Sequence, residues 1–274
     1  MRITHKEKGY VDFFKNNICI FQGFYNVENE KTIFIVPGDC FESFYYLDFA
    51  KLLFLEKYNV FILNYIKVAH CFFDYDKIVN KTYLNSFCFI RNKIFQDYNM
   101  CRQDLIYFAH SRGAIITFLF FENIKTNNKV ILYQPLIYLK KIKEKRDIKL
   151  CIDVLRNIAS KNMFKLSFKT FCKRFLSSTI NIDIKRNIYK NSIEIVKSVI
   201  FDKLNIDYFQ ISKLQIVTFV SRDDKAVDLK RTLKKIKVLE TNFGVNFGVH
   251  LINGCHSEII YNSNNVLLNI KNFI

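Results

Sequence analysis

Short apolar, β-branched runs alternate with stretches of helical periodicity through the first half of this chain, and that alternation leaves few folds open. Ile18 to Tyr25 and Thr32 to Val36 read as strands separated by a turn-like segment, Asn26 to Lys31, and are expected to form an antiparallel pair at a sheet edge. Phe41 to Lys57 has near-helical apolar spacing, and Val60 to Leu63 then reads as a buried strand. A further helix is expected within Val79 to Gln96. Leu105 to Phe108 is a short strand followed directly by a helix-compatible run from Arg112 to Glu122, and Lys129 to Tyr133 is a strand closed by Gln134 and Pro135. Strands alternating with helices at this pitch imply an α/β fold, with a mostly parallel central sheet and helices on both faces.

The pattern breaks after Pro135. Residues 136–212 are basic and helical in tendency, and Phe168, Phe171, Cys172, Phe175 and Leu176 form one stripe at helical spacing. This segment is expected to be a helical cap, or lid, inserted between two parts of one core, 1–135 and 213–274. Strand signals resume at Leu214 to Val220 and at Val245 to Ile252, with Gly248 inside the second.

Charge follows the same division. Between Lys140 and Leu204 seventeen Lys and Arg side chains face six Asp and Glu, so eleven of the chain's seventeen net positive charges lie there. Such a surface attracts an acidic partner, either a protein or an anionic membrane. Nucleic acid is disfavoured as the partner, because no basic helix-turn-helix, zinc finger or aromatic RNA-binding signature is present.

Half of the residues are apolar, including 29 Phe and 15 Tyr, which supplies a large core and argues against disorder. Met1 to Tyr10 is charged and polar, with no signal peptide or membrane span after it, so a cytoplasmic location is expected. The eight cysteines are scattered singly, without a C-x-x-C pair, and are expected to be reduced and not to hold zinc. Neither a metal nor an organic cofactor is implied.

The sequence that carries chemistry is Ala109-His110-Ser111-Arg112-Gly113, set between an apolar strand and a helix. A nucleophile at a tight strand-to-helix turn needs small residues two places before and after it, where larger side chains would collide as the backbone reverses. Ala109 and Gly113 meet that need. By itself the match is weak, since a Ser capping a helix beside a Gly is ordinary structure.

In this context the chain resembles the nucleophile elbow of the α/β-hydrolase superfamily, with Ala where Gly is commoner. The family runs nucleophile, acid, base, with the acid after a late strand and the histidine after the last. Leu214 to Val220 followed by Ser221-Arg222-Asp223-Asp224-Lys225-Ala226-Val227 resembles its acid turn, with Asp224 on the acid and Asp223 as the competing choice. Asn253-Gly254-Cys255-His256-Ser257 resembles the turn that carries the base, His256. Of the other histidines, His250 lies within a strand and is expected to pack, and His110 falls where the family generally has a structural histidine.

Two backbone N–H groups complete the resemblance. Ile33 to Cys40 resembles the strand and turn whose residue after the Gly helps to hold a developing oxyanion, which assigns Asp39 N–H together with Arg112 N–H to that task. Pro37 stands where the family usually has His, and the loop from Asn64 to His70 lacks the Asp-x-Arg-Gly-x-Gly-x-Ser motif that relatives often show. The resemblance implies a serine hydrolase with the α/β-hydrolase fold, in the manner of carboxylesterases, lysophospholipases or esterases of acyl-carrier-protein esters. Its substrate would be a carboxylic ester or thioester of an acyl chain, carried by an acidic acyl carrier protein or as a lysophospholipid. A non-catalytic binding module on the same fold is the alternative.

Overall fold

The computed structural model describes residues 8–38, 43–72, 80–99, 105–120, 128–137, 212–224 and 227–274. The segment 136–212, expected to be a cap, lies almost wholly outside them, as does Asp39. In chain order the described strands are β1 (Tyr10–Lys15), β2 (Ile18–Phe24), β3 (Lys31–Val36), β4 (Tyr58–Leu63), β5 (Leu105–His110), β6 (Lys129–Tyr133), β7 (Gln215–Ser221) and β8 (Val249–Ile252). The described α-helices are α1 (Leu47–Leu55), α2 (Tyr65–Phe72), α3 (Asn80–Tyr98), α4 (Gly113–Phe120), α5 (Leu229–Phe243), α6 (Glu258–Tyr261) and α7 (Ser263–Ile270). A 3-10 turn, Ser43–Tyr46, leads into α1.

All eight strands join one sheet in the order β1-β2-β4-β3-β5-β6-β7-β8. The pairs β1–β2 and β2–β4 are antiparallel, and every later pair is parallel. One expectation is corrected here. β2 does not pair with β3; it lies between β1 and β4, while β3 pairs in parallel with β4 and β5. The six-residue link that resembles a hairpin turn instead carries the chain across β4, and the true hairpin partner is β1. In that strand Asp12 and Lys15 interrupt the apolar residues and most positions are partly or fully exposed, so it forms no continuous apolar run. A central strand covered on both faces reads as a continuous apolar run, and β3 is such a run.

Alternate residues of each strand feed opposite faces. Ile33 and Ile35 of β3, Val60 and Ile62 of β4, Ile106 and Phe108 of β5 and Tyr133 of β6 join Phe49 and Leu53 of α1 and Ile259, Val266 and Ile270 of α6 and α7 in one cluster. On the other face Phe34 meets Phe95 of α3 at 6.0 Å between ring centres, and Tyr107 meets Phe120 of α4 at 6.2 Å. Helices on both faces are thus an observed property of the sheet. His250 stacks on Phe219 at 5.4 Å, the packing role expected of it. Among the described residues no helix is long and apolar enough to cross a membrane.

Candidate active site

The parallel strands β3, β5, β6, β7 and β8 all end at one edge, and the candidate residues lie on the turns that leave it. Parallel pairing dictates this, because every crossover returns the chain to the same starting edge. Ser111 follows β5 directly and has φ of 53°, the left-handed region that a side chain enters only under constraint. Packing supplies the constraint. A Cβ at Gly113 would stand 2.1 Å from the Val36 carbonyl oxygen, so the first turn of α4 lies against the end of β3 and only glycine fits. The Ser111 N–H donates to the Tyr133 carbonyl at 3.1 Å, and its carbonyl accepts from the Leu136 N–H at 3.0 Å.

His256 comes from the turn after β8, 145 residues further along. Its Nε2 lies 2.7 Å from Ser111 Oγ, and its Nδ1 lies 2.7 Å from Asp224 Oδ2. Ser111 and Asp224 are buried, while the imidazole keeps partial access to solvent. A carboxylate only accepts hydrogen bonds, so the proton of the neutral ring sits on Nδ1 and the Nε2 lone pair faces the hydroxyl. A hydroxyl in that position can pass its proton to the ring as it attacks an electrophile.

The two adjacent acids of the β7 turn have different environments. Asp224 is buried, gives Oδ2 to His256 and accepts the Val227 N–H on Oδ1 at 3.0 Å. Asp223 is exposed and takes the Gly254 N–H at 3.4 Å. The Asp224 turn is sewn to the His256 turn by further bonds: Ser221 Oγ donates to the Gly254 carbonyl, and the Arg222 N–H donates to the Ile252 carbonyl at 3.0 Å. Gln134, at the end of β6, donates from Nε2 to the Cys255 carbonyl at 2.8 Å.

Of the two N–H groups that the resemblance assigns to an oxyanion, that of Arg112 follows Ser111 directly before the amino end of α4. The other belongs to Asp39, outside the described residues. Its neighbour Gly38 is described, and the Gly38 N–H donates to Tyr46 Oη at 2.9 Å. A Cβ on Gly38 would come within 2.8 Å of Ser111 Cβ and 3.3 Å of its hydroxyl, so Gly38 lies directly against the serine.

Tyr46 is the residue whose part at this edge the sequence did not reveal, and its partner His110 was expected to be structural. His110 is fully buried, and burial beside His256 pushes its imidazole down to about 3 from an ordinary 6.5, so it is neutral at physiological pH. Tyr46 Oη lies 2.8 Å from its Nδ1, and the His256 carbonyl lies 2.8 Å from its Nε2. Tyr46 comes from the 3-10 turn, 64 residues before His110, and no local signal marks it as a partner.

No family model matches the sequence, and no curated protein is similar to it. Solved structures share its fold at low identity. A thioesterase domain from the curacin biosynthetic pathway superposes with a TM-score of 0.61 at 12% identity, covering 96% of this chain and 98% of that one. A marine microorganism esterase gives a TM-score of 0.59 at 14% identity, over 97% and 100%. A membrane phospholipase A described as a bacterial virulence factor gives 0.59 at 13%, over 97% and 86%. Likeness at such identities speaks for architecture alone. The chain has the α/β-hydrolase fold.

Proposed function

We propose that the protein is a serine hydrolase that cleaves a carboxylic ester or thioester, with Ser111 as nucleophile, His256 as general base and Asp224 as the acid that orients it. The observation that carries this reading is the unbroken chain of two 2.7 Å contacts from hydroxyl to imidazole to buried carboxylate. In the first half-reaction His256 Nε2 takes the Ser111 proton while Oγ attacks the acyl carbon, and Asp224 stabilises the imidazolium so formed. Collapse of the tetrahedral species passes that proton to the leaving alcohol or thiol and leaves Ser111 acylated. Water then deprotonated by His256 attacks the acyl carbon, frees the acid and restores the serine.

The developing oxyanion needs two donors, and the reading assigns them to the N–H groups of Arg112 and Asp39. The Gly38 N–H itself is committed to Tyr46. Losing one such donor costs about 3 kcal/mol in related chemistry.

For the substrate, an acyl chain presented by an acidic carrier protein or by an anionic lipid surface agrees with the positive charge gathered between Lys140 and Leu204. That segment is the basic cap of this reading, 136–212, and the isolated cysteines suit a cytoplasmic enzyme. The test is labelling with a fluorophosphonate, together with turnover of p-nitrophenyl esters of graded length and of an acyl-carrier-protein ester at low and high salt. Labelling that Ser111→Ala abolishes, and carrier-ester turnover that falls with salt, are expected. A wild-type protein that neither labels nor turns over is a binding module on this fold, and a salt-independent rate removes the acidic partner.

A further inference from the structure

We infer that Tyr46 and His110 form a positioning relay that holds the turn after β3 and the base His256 in register beside Ser111. The inference deepens the reading above and rests on its assignment of Ser111 and His256. The direction of every bond in the relay follows from chemistry. The His256 carbonyl only accepts, so His110 Nε2 carries the proton and donates to it at 2.8 Å. The neutral ring then offers only a lone pair at Nδ1, which accepts the Tyr46 hydroxyl proton at 2.8 Å. With its proton so used, the Tyr46 oxygen accepts the Gly38 N–H at 2.9 Å. One chain of bonds thus runs from the β3 turn, through the residue preceding the nucleophile, to the backbone of the base.

Both relay side chains have 0% exposure, so neither can exchange these partners for water. Their contacts also suit the task. The His110 and His256 rings lie 5.3 Å apart, so a charge on the first would oppose the imidazolium that forms on the second. Burial keeps His110 neutral and removes that conflict. The base is fixed through its own carbonyl, one residue beyond the Cys255 carbonyl that Gln134 holds. A shift of about 1 Å in a group at hydrogen-bond distance from a reacting atom costs on the order of a hundredfold in rate, so a relay of this kind acts on kcat more than on KM.

The test compares His110→Leu, His110→Gln and Tyr46→Phe. Leu fills the space and removes both bonds, whereas a Gln amide supplies an N–H and a C=O in place of the two ring nitrogens. The expected result is a loss of about 30- to 100-fold in kcat and in fluorophosphonate labelling for His110→Leu, with KM little changed. His110→Gln should recover to within about fivefold of wild type, and Tyr46→Phe should lose about tenfold. The low-field NMR signal of the His256–Asp224 proton should broaden in the Leu variant and return in the Gln variant. A folded His110→Leu protein with wild-type kcat overturns the relay, and so do equal losses in Leu and Gln, which mark a packing role. If His110→Leu does not fold, Tyr46→Phe decides, and wild-type kcat there overturns the inference. If wild-type protein neither labels nor turns over, the enzyme reading has failed. The relay is then judged by the His256 signal, and a signal unchanged in Tyr46→Phe overturns it.

Discussion

The turn that bears Ser111 and the turn that bears Asp224 leave the same edge of the same sheet, yet they are held by different forces. At Ser111 the constraint is steric: a positive φ, a glycine two residues on with no room for a Cβ, and a second glycine, Gly38, lying against the serine. At Asp224 the constraint is polar. The turn is half exposed and keeps its shape through bonds from Ser221, Arg222 and Asp223 to the turn that bears His256. A steric turn is written locally, because the residues that must be small lie beside the one they constrain. A polar turn is written in a partner segment some thirty residues away.

Substitutions at the two turns should separate these forces. Asp224→Asn leaves the shape intact while giving His256 an amide that disfavours the reactive tautomer, and a loss of about 10⁴-fold in kcat is expected. Asp223→Asn should change kcat by less than about tenfold, since Asp223 does not touch the imidazole. Steady-state kinetics on one ester decides between them, and equal losses would mean that the Asp224 turn works as a unit. At the steric turn, Gly113→Ala drives a methyl group into the Val36 carbonyl and should lower stability by about 3 kcal/mol or more, read from urea unfolding.

A pH-dependent effect is expected at His110. Its folded pKa of about 3 lies below the ordinary 6.5, so between these values the unfolded chain binds the extra proton and stability falls as pH falls. From its full value above about pH 6.5, the contribution of this one group should decline by about 2 kcal/mol on reaching about pH 5. His110→Gln should flatten that part of the stability profile. An unchanged acid slope in the variant would show that His110 is not the group being titrated.

Sequence alone determined a good deal. Short apolar runs set between helical stretches placed β4, β5, β6 and β7 to within a few residues, and Ala109 and Gly113 marked the turn at Ser111. Other signals were present and passed over: α5 starts on Asp228, whose carboxylate accepts the Arg231 N–H, and ends at Gly244 in the left-handed conformation. What the chain pattern could not decide was pairing across distance. Whether β2 joins β3 or β4, whether Asp223 or Asp224 reaches His256, and that Tyr46 meets His110 all depend on which strands become neighbours. Periodicity records which face of a segment is buried, but two apolar strands of equal length offer the same face to several partners. Only the assembled sheet chooses among them, because that choice minimises unpaired backbone and empty space over the whole molecule.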